Sequence, residues 1–244
     1  MQLILISAIV FLVGYIINVF YITVFYHRGL THGALKFSPR IEKFIAATGP
    51  WITGIDPKGW ILMHRLHHLH SDTELDPHSP VNLGIFGVAK GQLHSYEQAL
   101  RRLMRKEPAY TEIVKDLNFD VNIINQSKLW MLPYATHLII AVALGFISHS
   151  VLIGSAYYLG MMSHPIQGWM VNALAHHYGY RNFETTDNSK NNAFVAWFVV
   201  GEGYQNNHHT YPHRANFAVK PFEIDLGYML CKIAAKFNVL KIVN

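Results

Sequence analysis

The chain has 244 residues, of which 51% are hydrophobic and only 14% are charged, and its net charge is +5. Soluble domains carry about 25% charged residues, so this composition argues against an ordinary soluble protein. The single cysteine, Cys231, excludes an intramolecular disulfide and a thiolate-rich metal site. The positive charge suits anionic lipid head groups. Because no basic stripe is interleaved with aromatic residues, we expect no nucleic-acid partner.

The N-terminal apolar block, residues 3–26, contains no charged side chain and is long enough to cross a bilayer core of about 30 Å. A cleaved signal peptide is the competing interpretation. However, no basic segment precedes the block and no clear cleavage site follows it, which favours a retained membrane helix. Residues 41–54 are too short to span and contain Pro50, which favours an interfacial or re-entrant segment.

A second charge-free block covers residues 129–180 and has room for two spans of about 20 residues each. We predict spans over 129–147 and 151–172, with a turn near His149. The positive-inside rule then places Arg65, Arg101 and Arg181 in the cytosol and the N-terminus outside. The C-terminal segment is amphipathic, so it either lies on the membrane surface or packs on the domain.

These segments predict one all-α integral membrane domain over 1–244. It would have about three transmembrane helices (3–26, 129–147 and 151–172), a cytosolic helical cap with a His-rich dimetal site, and interfacial amphipathic helices. A short chain without a transit peptide or retention signal fits a bacterial inner membrane, with the active site on the cytosolic face.

Histidines mark the candidate site, because the chain has 16 of them. Four groups flank the predicted membrane segments: His27 and His32; His64, His67 and His68; Asn172 and His176; Gln205, His208 and His209. Side chains three or four positions apart share a helix face, so the second group would project three rings toward one volume. His27 and His32 are five apart, about 140° on an ideal α-helix. They can share a metal ion only if the helix ends there, as Gly29 would allow; otherwise each serves a different ion.

Eight histidines are more than one metal ion takes, which indicates two ions with open positions. Imidazole suits iron, copper, zinc and nickel alike, so the ligand type does not choose the metal. Among the other histidines, we expect His70, His78, His94 and His213 in loops or on the surface. His137 and His164, inside predicted spans, are expected to bond neighbouring helices.

The motifs HRGLTH, HRLHH with the following DPHSP, NALAHHYG and GEGYQNNHH resemble the histidine boxes of the integral-membrane fatty acid desaturases. The similarity is greatest to the acyl-CoA (stearoyl-CoA Δ9) branch and runs from Val24 to Ala215. It implies an O2-dependent diiron enzyme that introduces a cis double bond into a long-chain acyl-CoA or acyl-lipid. It also implies eight iron ligands, namely His27, His32, His64, His67, His68, His176, His208 and His209, with Asn172 reaching a metal through water.

The sequence departs from this branch in two places. Gln205 stands where the branch has histidine, so its amide oxygen either binds iron directly or holds a bridging water. The family usually has four spans, whereas the N-terminus here has room for one before His27. Glu202, next to the last box, is expected to orient a ligand imidazole. No fused cytochrome b5 domain is evident, so we expect a separate electron donor of the ferredoxin, rubredoxin or cytochrome b5 type.

Trp51, Trp60 and Trp169 are candidates for lining an acyl tunnel, with interfacial anchoring as the competing interpretation. Two other functions fit the same motifs. One is a related membrane diiron hydroxylase or monooxygenase, and the other is a non-catalytic metal-binding relative. The GEGY and DPH elements favour the desaturases over the hydroxylases, and a non-catalytic relative would bind metal without changing a lipid.

Overall fold

A computed structural model describes residues 1–76 and 78–243, and its regular structure is almost entirely helical. The α-helices are α1 (Gln2–Phe20), α2 (Pro39–Thr53), α3 (Pro57–His70), α4 (Pro80–Met104), α5 (Pro108–Thr111), α6 (Ile123–Gln126), α7 (Leu132–Ile147), α8 (Val151–Met161), α9 (His164–Trp169), α10 (Ala175–His177), α11 (Ala193–Phe198), α12 (Gln205–Thr210) and α13 (Leu226–Lys236). Two π-helices, π1 (Tyr21–Thr31) and π2 (Met170–Leu174), continue α1 and α9, and a 3₁₀ turn covers Glu112–Val114. The strands β1 (Leu35–Lys36) and β2 (Lys241–Ile242) pair antiparallel, with Leu35 opposite Ile242.

α1 and π1 form one continuous helix from Gln2 to Thr31. Among the described residues it is the one helix long and apolar enough to cross a membrane. Its outer part exposes apolar side chains such as Ile4 and Leu12, whereas every residue of π1 is buried. The helix therefore runs from an apolar surface into the interior of the cap.

The second apolar block is a helical hairpin, in which α7 and α8 are joined by residues 148–150. Both helices are shorter than the about 20 residues that a span needs, and the prediction of one continuous helix over 151–172 was wrong. The chain breaks after Met161, where the Asn18 side-chain amide donates to the Met161 carbonyl at 2.7 Å. Pro165 is the second residue of the next helix, where its missing N–H costs no hydrogen bond.

α8 packs closely against α1 because glycines face each other. A Cβ on Gly160 would lie 2.5 Å from the Phe11 carbonyl oxygen, and one on Gly14 would lie 3.0 Å from the Met161 nitrogen. The outer faces of the hairpin carry exposed Ile139, Phe146 and Val151. α1, α7 and α8 thus form an apolar layer below the histidine-rich helices.

Within the helical cap, hydrogen bonds to the Asp56 side chain fix where α3 begins. Asp56 is fully buried and accepts hydrogen bonds from the backbone of Lys58 and Gly59, which caps α3. The same carboxylate accepts from Asn122, so it also ties the 119–126 segment to α3. The apolar segment 41–54 lies mostly in the helix α2, which continues through Pro50. α13 buries Cys231 and Ala234 against this core and leaves Met229 and Ile233 exposed.

Candidate metal centre

His27 lies on π1 and His32 caps its C-terminal end, and the geometry of π1 brings the two together. A π-helix bonds each N–H to the carbonyl five residues earlier, and the His32 N–H reaches the His27 carbonyl at 3.2 Å. Residues five apart therefore share a face, and the two ring centroids are 4.9 Å apart. With α-helical spacing the two rings could share a metal ion only if the helix ended at Gly29, but the helix continues to Thr31. Instead, its wider turn places both rings on one side.

Five histidines form cluster 1, in which one ring nitrogen of each lies within 4.8 Å of the others. They are His27, His32, His64, His68 and His208. The Nε2 atom of His208 is 3.0 Å from Nε2 of both His27 and His68, and Nε2 of His68 is 3.1 Å from that of His64. Nitrogens bound at right angles to one metal ion, each about 2.0–2.1 Å from it, would be separated by this distance. Cluster 1 thus has the spacing of ligands to a single ion.

Three histidines, His67, His176 and His209, form cluster 2, again with ring nitrogens within 4.8 Å. Their ring centroids are 5.0 to 5.2 Å apart. The two clusters share helices: α3 sends His64 and His68 to cluster 1 and His67 to cluster 2, and α12 divides His208 and His209 in the same way. The three rings of α3 lie close together, with the His67 ring centroid 6.0 Å from that of His64 and 5.8 Å from that of His68, but the His67 nitrogen belongs to a different cluster.

Carboxylates orient four of these rings through the Nδ1 atom. Nδ1 donates to a carboxylate in each of four pairs: His27 to Glu202 at 2.5 Å, His67 to Asp76 at 2.9 Å, His176 to Asp72 at 3.1 Å and His209 to Asp187 at 2.5 Å. A proton held on Nδ1 leaves the Nε2 lone pair free for a metal ion. The four rings are therefore fixed in the tautomer that ligands require.

Burial keeps most of cluster 1 uncharged. Desolvation, and then repulsion by neighbouring histidines, lowers the pKa of His64, His68 and His208 well below 6.5. At His67 burial also lowers the pKa, but the hydrogen bond and charge of Asp76 outweigh it and the net pKa is raised. Burial raises the pKa of Asp76, yet the His67 hydrogen bond outweighs burial and brings it to about 2. Neutral imidazoles beside ionised carboxylates are a donor set suited to a cation.

Buried ring nitrogens without a hydrogen-bond partner indicate whether these residues fit metal ions. Within the described residues, Nε2 of His32, His67, His176 and His209 is buried and has no hydrogen-bond partner. A buried polar atom without a partner is costly, and several of them converging on one point need a common partner. A metal ion in each cluster would supply it, so the donor set fits two metal ions.

Asn172 and Gln205 lie one helical turn before His176 and His209. Asn172 is part of π2, and Gln205 is the first residue of α12 and is buried. The Gln205 amide donates to the Glu202 carbonyl at 3.1 Å, while its Oε1 atom is buried and has no partner. Neither residue belongs to the two clusters of converging nitrogens and carboxylates, but both line the cavity beside them.

A cavity of about 330 Å³ leads to cluster 1. Its polar end is formed by His27, His64, Asn172, Glu202 and Gln205. The remaining wall is mainly apolar and comes from α1, α3, α4, α7, α9 and neighbouring loops, including Val19, Ile22, Ile55, Leu93, Trp130 and Val171. Trp60 lines it and stacks on His64 with ring centroids 5.0 Å apart. Trp51 and Trp169 do not line it, and the Trp169 indole donates instead to the Ile85 carbonyl.

Several functional neighbours were not predicted from the sequence. His78, expected at a surface or in a loop, is fully buried and stacks on His67 at 4.8 Å. The aspartates that bind cluster 2 were also missed, although Asp76 follows the HRLHH motif closely and its position was a usable signal. Asp72 and Asp187 carry no such signal, because their partners lie far away in the sequence. His137, by contrast, bonds Tyr157 and the Trp51 carbonyl, as expected for a structural histidine.

Comparison with known proteins identifies the family. The family model described as fatty acid desaturase matches residues 3–220. The chain therefore belongs to the fatty acid desaturase family, which confirms the resemblance of its histidine motifs.

Curated relatives have diverse desaturase names. The chain is 31% identical over 224 residues to an acyl-CoA 5-desaturase of Anemone leveillei, covering 88% of this chain and 64% of the relative. It is 31% identical over 214 residues to a hex-5-enoyl-[acyl-carrier protein] acetylenase of Moorena producens (strain JHB), covering 84% and 66%. It is 30% identical over 226 residues to an sn-1 stearoyl-lipid 9-desaturase of Anabaena variabilis, covering 87% and 74%. The chain thus spans 64% to 74% of the length of these relatives.

Proposed function

We propose that the chain is an O2-dependent diiron desaturase that introduces a cis double bond into a long-chain fatty acyl substrate. One observation carries the proposal: two adjacent clusters of buried histidines lie in the cap, and one of them contributes His27 and His64 to the polar end of an apolar cavity. Two iron ions, when bound, would supply the activation of O2 that the removal of two hydrogens from an unactivated chain requires. The family relationship supports the same activity.

The side chains have distinct parts in this proposal. The five histidines of cluster 1 would hold one iron ion, and the three of cluster 2 would hold the other. Glu202, Asp72, Asp76 and Asp187 hold ring protons on Nδ1 and so keep the Nε2 atoms directed at the metal ions. Trp60 stacks on His64 and limits the rotation of that ring. Burial of both clusters keeps bulk water away from the reacting carbons.

Asn172 and Gln205 would complete cluster 2, which has only three imidazoles. Both are amides at the edge of the cavity, so they stand between the acyl chain and the open side of this cluster. We propose that Asn172 reaches the metal ion through a water molecule. The unpaired Oε1 atom of Gln205 would accept a hydrogen bond from such a water or bind the ion directly.

The substrate proposal follows from the cavity wall. An apolar wall with a few polar groups at one end suits an acyl chain whose middle carbons reach the histidines. Relatives named as acyl-CoA, acyl-carrier-protein and acyl-lipid enzymes support an acyl-CoA or acyl-lipid substrate and leave Δ9 regioselectivity as a proposal. Electrons would come from a separate protein of the ferredoxin, rubredoxin or cytochrome b5 type.

Membrane placement is proposed as three spans in one domain: the helix from Gln2 to Thr31, α7, and α8 with α9. The N-terminus would lie outside, the histidine clusters would face the cytosol, and the membrane would be a bacterial inner membrane. Cysteine labelling in a Cys231→Ser background tests this topology. Ser148→Cys, in the hairpin turn, should react with a membrane-impermeant reagent in intact cells, and Glu97→Cys should react only after lysis. The reverse pattern would invert the proposed topology.

Fatty-acid profiling by mass spectrometry tests the activity. A desaturase-deficient host should gain a monounsaturated acyl chain when it expresses the wild type. It should gain none with His67→Ala, which removes a nitrogen from cluster 2. His94→Ala is the matched control, because His94 is exposed and contacts only Gln98. A hydroxylated product would instead make the protein a hydroxylase, and an iron-loaded protein without product would indicate a metal-binding relative.

A further inference from the structure

We infer that cluster 2 stabilises the ferric state of its iron ion more than cluster 1 does, so that the iron ion in cluster 2 is the second of the two to be reduced. The inference rests on the proposed diiron function and concerns the different charges around the two clusters. It depends on three buried aspartates that surround cluster 2 and on an arginine that pairs with the carboxylate beside cluster 1.

Each histidine of cluster 2 has its own carboxylate. Asp76 bonds His67, Asp72 bonds His176 and Asp187 bonds His209. The side chains of these aspartates are at most 9% exposed. Within the described residues, none of the three carboxylates forms an ion pair with Lys or Arg. Arg181 donates to the backbone carbonyl of Asp187 and not to its carboxylate.

Other hydrogen bonds hold these carboxylates in their ionised form. Asp72 accepts from the Ser79 hydroxyl and the Asn188 backbone. Asp76 accepts from the backbone of Asp72 and His78. Asp187 accepts from the Thr185 and Ser189 hydroxyls and from the Ser189 backbone. Three buried carboxylates therefore surround the three rings, and a cation between the rings would balance their charge.

Cluster 1 has fewer unbalanced carboxylates beside it. Among its five histidines in the described structure, only His27 has a carboxylate partner, Glu202. Arg28 is fully buried and bonds Glu202 at 2.5 Å and both oxygens of Asp225 at 2.9 Å. Arg28 is shared between these two carboxylates, so the group of Glu202, Arg28 and Asp225 carries a net charge of about −1. Cluster 1 thus has one unbalanced carboxylate charge beside it, whereas cluster 2 has three.

A ferric ion carries one more positive charge than a ferrous ion, so nearby carboxylates stabilise it more. Carboxylates that hydrogen-bond ligand histidines also make the imidazoles stronger donors. Both effects favour the ferric state in cluster 2 and the ferrous state in cluster 1. When electrons enter one at a time, the ion in cluster 1 should therefore be reduced first and that in cluster 2 second.

Mössbauer spectroscopy tests this order in the detergent-solubilised protein loaded with ⁵⁷Fe. The oxidised protein is reduced with dithionite through mediators at a series of fixed potentials, and the ferric and ferrous fractions are counted. We expect two one-electron steps. Asp187→Asn keeps the shape of the side chain but removes its charge. It should weaken the preference of the cluster 2 ion for the ferric state about tenfold, which raises the reduction potential of the second step by about 59 mV. It should leave the first step in place.

Glu202→Gln is the reciprocal variant, because it removes the only carboxylate of cluster 1 and should shift only the first step. Asp72→Asn repeats the test at a second aspartate if Asp187→Asn does not fold. One unresolved two-electron step, or a shift of the first step by the aspartate variants, would overturn the inference. A protein that binds no iron would instead contradict the proposed function, so the two failures are distinguishable.

Discussion

Gln205 is the residue that, in the proposed function, completes the ligands of cluster 2 together with Asn172. It is buried at the start of α12, one turn before His209, and its Oε1 atom has no partner. We predict that Gln205→His adds a nitrogen donor to this cluster and slows iron loss to a chelator about tenfold or more. Gln205→Leu, which fills similar space without a donor, is the control and should lose iron faster than the wild type. Equal rates in all three proteins would mean that the side chain does not face the metal ion.

Arg28 stabilises the fold through charges that water does not screen. It is fully buried between Glu202 and Asp225, and its guanidinium also lies over the Phe217 ring at 3.9 Å. Asp225→Asn should therefore lower the free energy of unfolding by about 3–5 kcal/mol, because it leaves a buried charge partly unpaired. The measurement is denaturant unfolding of the detergent-solubilised protein.

Asp116→Asn is the matched control for that prediction. Its carboxylate also pairs with an arginine, Arg65, but its side chain is 57% exposed. Exposed pairs contribute about 0–1 kcal/mol, so the control should unfold nearly as the wild type does. Similar losses in the two variants would contradict the assigned importance of burial.

The π-helix π1 shows where prediction from residue spacing reaches its limit. His27 and His32 could be identified as site residues from their motif, but an α-helix would hold their rings about 140° apart. Only the i to i+5 hydrogen bonds of π1 align them, and no simple sequence pattern signals a π-helix. The same holds for α3: spacing placed His64, His67 and His68 on one face, yet tertiary packing divides them between two clusters.

Gly29 is the position at which π1 permits close packing. A Cβ there would lie 2.3 Å from a carbon of the Phe37 ring, so Gly29→Ala must displace that ring or the helix. We predict that Gly29→Ala lowers the bound iron by about half, because cluster 1 loses its alignment while cluster 2 is unaffected. Elemental analysis of the purified protein measures this directly.

Two further variants separate the steric cause from a general effect of alanine. Gly29→Ala combined with Phe37→Ala removes the clash and should restore part of the iron. Gly145→Ala in α7 would meet no atom closer than 3.6 Å and should keep the full amount. Full iron in Gly29→Ala alone would show that π1 tolerates the added methyl group.

At the scale of the whole molecule, the fold brings together site residues that are far apart in the sequence. The charge-free blocks predicted apolar helices and the motifs predicted eight site histidines, because both depend on local composition and spacing. The cavity could not be predicted, since its wall combines segments as distant as Val19, Leu93 and Val171. The break after Met161 was also missed, because it depends on a hydrogen bond from Asn18 in another helix. Long-range contacts thus decide the shape of the site, whereas the sequence indicates its chemistry.

Filling the cavity tests whether it binds the acyl chain. Ala89 lines the cavity on α4, so Ala89→Phe should occupy part of the space and shift the product profile toward shorter chains or abolish it. Iron content should stay unchanged, because Ala89 belongs to neither cluster. Val81→Phe, at an exposed position of the same helix, is the control and should leave the profile as it is. A normal profile in Ala89→Phe would place the substrate elsewhere.

Acid should destabilise the metal-free protein, and the sign follows from its buried histidines. In the folded state the pKa values of His64, His68 and His208 lie well below 6.5, whereas in the unfolded chain they return to about 6.5. Below about pH 6.5 the unfolded state therefore binds protons that the folded state does not. Each such histidine then lowers the free energy of unfolding by about 1.4 kcal/mol per pH unit.

His67, whose pKa is raised by Asp76, opposes this trend but is a single group against six, because the pKa of His32, His78 and His209 is lowered as well. We therefore expect the unfolding temperature of the metal-free protein in detergent to fall as the pH is lowered from 7.5 to 5.5 (roughly one unit on either side of the histidine pKa). His68→Asn should reduce the slope, because it removes one of these groups, and His94→Asn at the exposed position should not. Bound metal ions should delay the fall, since protons must compete with them for the same nitrogens. An unfolding temperature that rises with acid would mean that the clusters are protonated in the folded protein, which would contradict their neutral, metal-binding state.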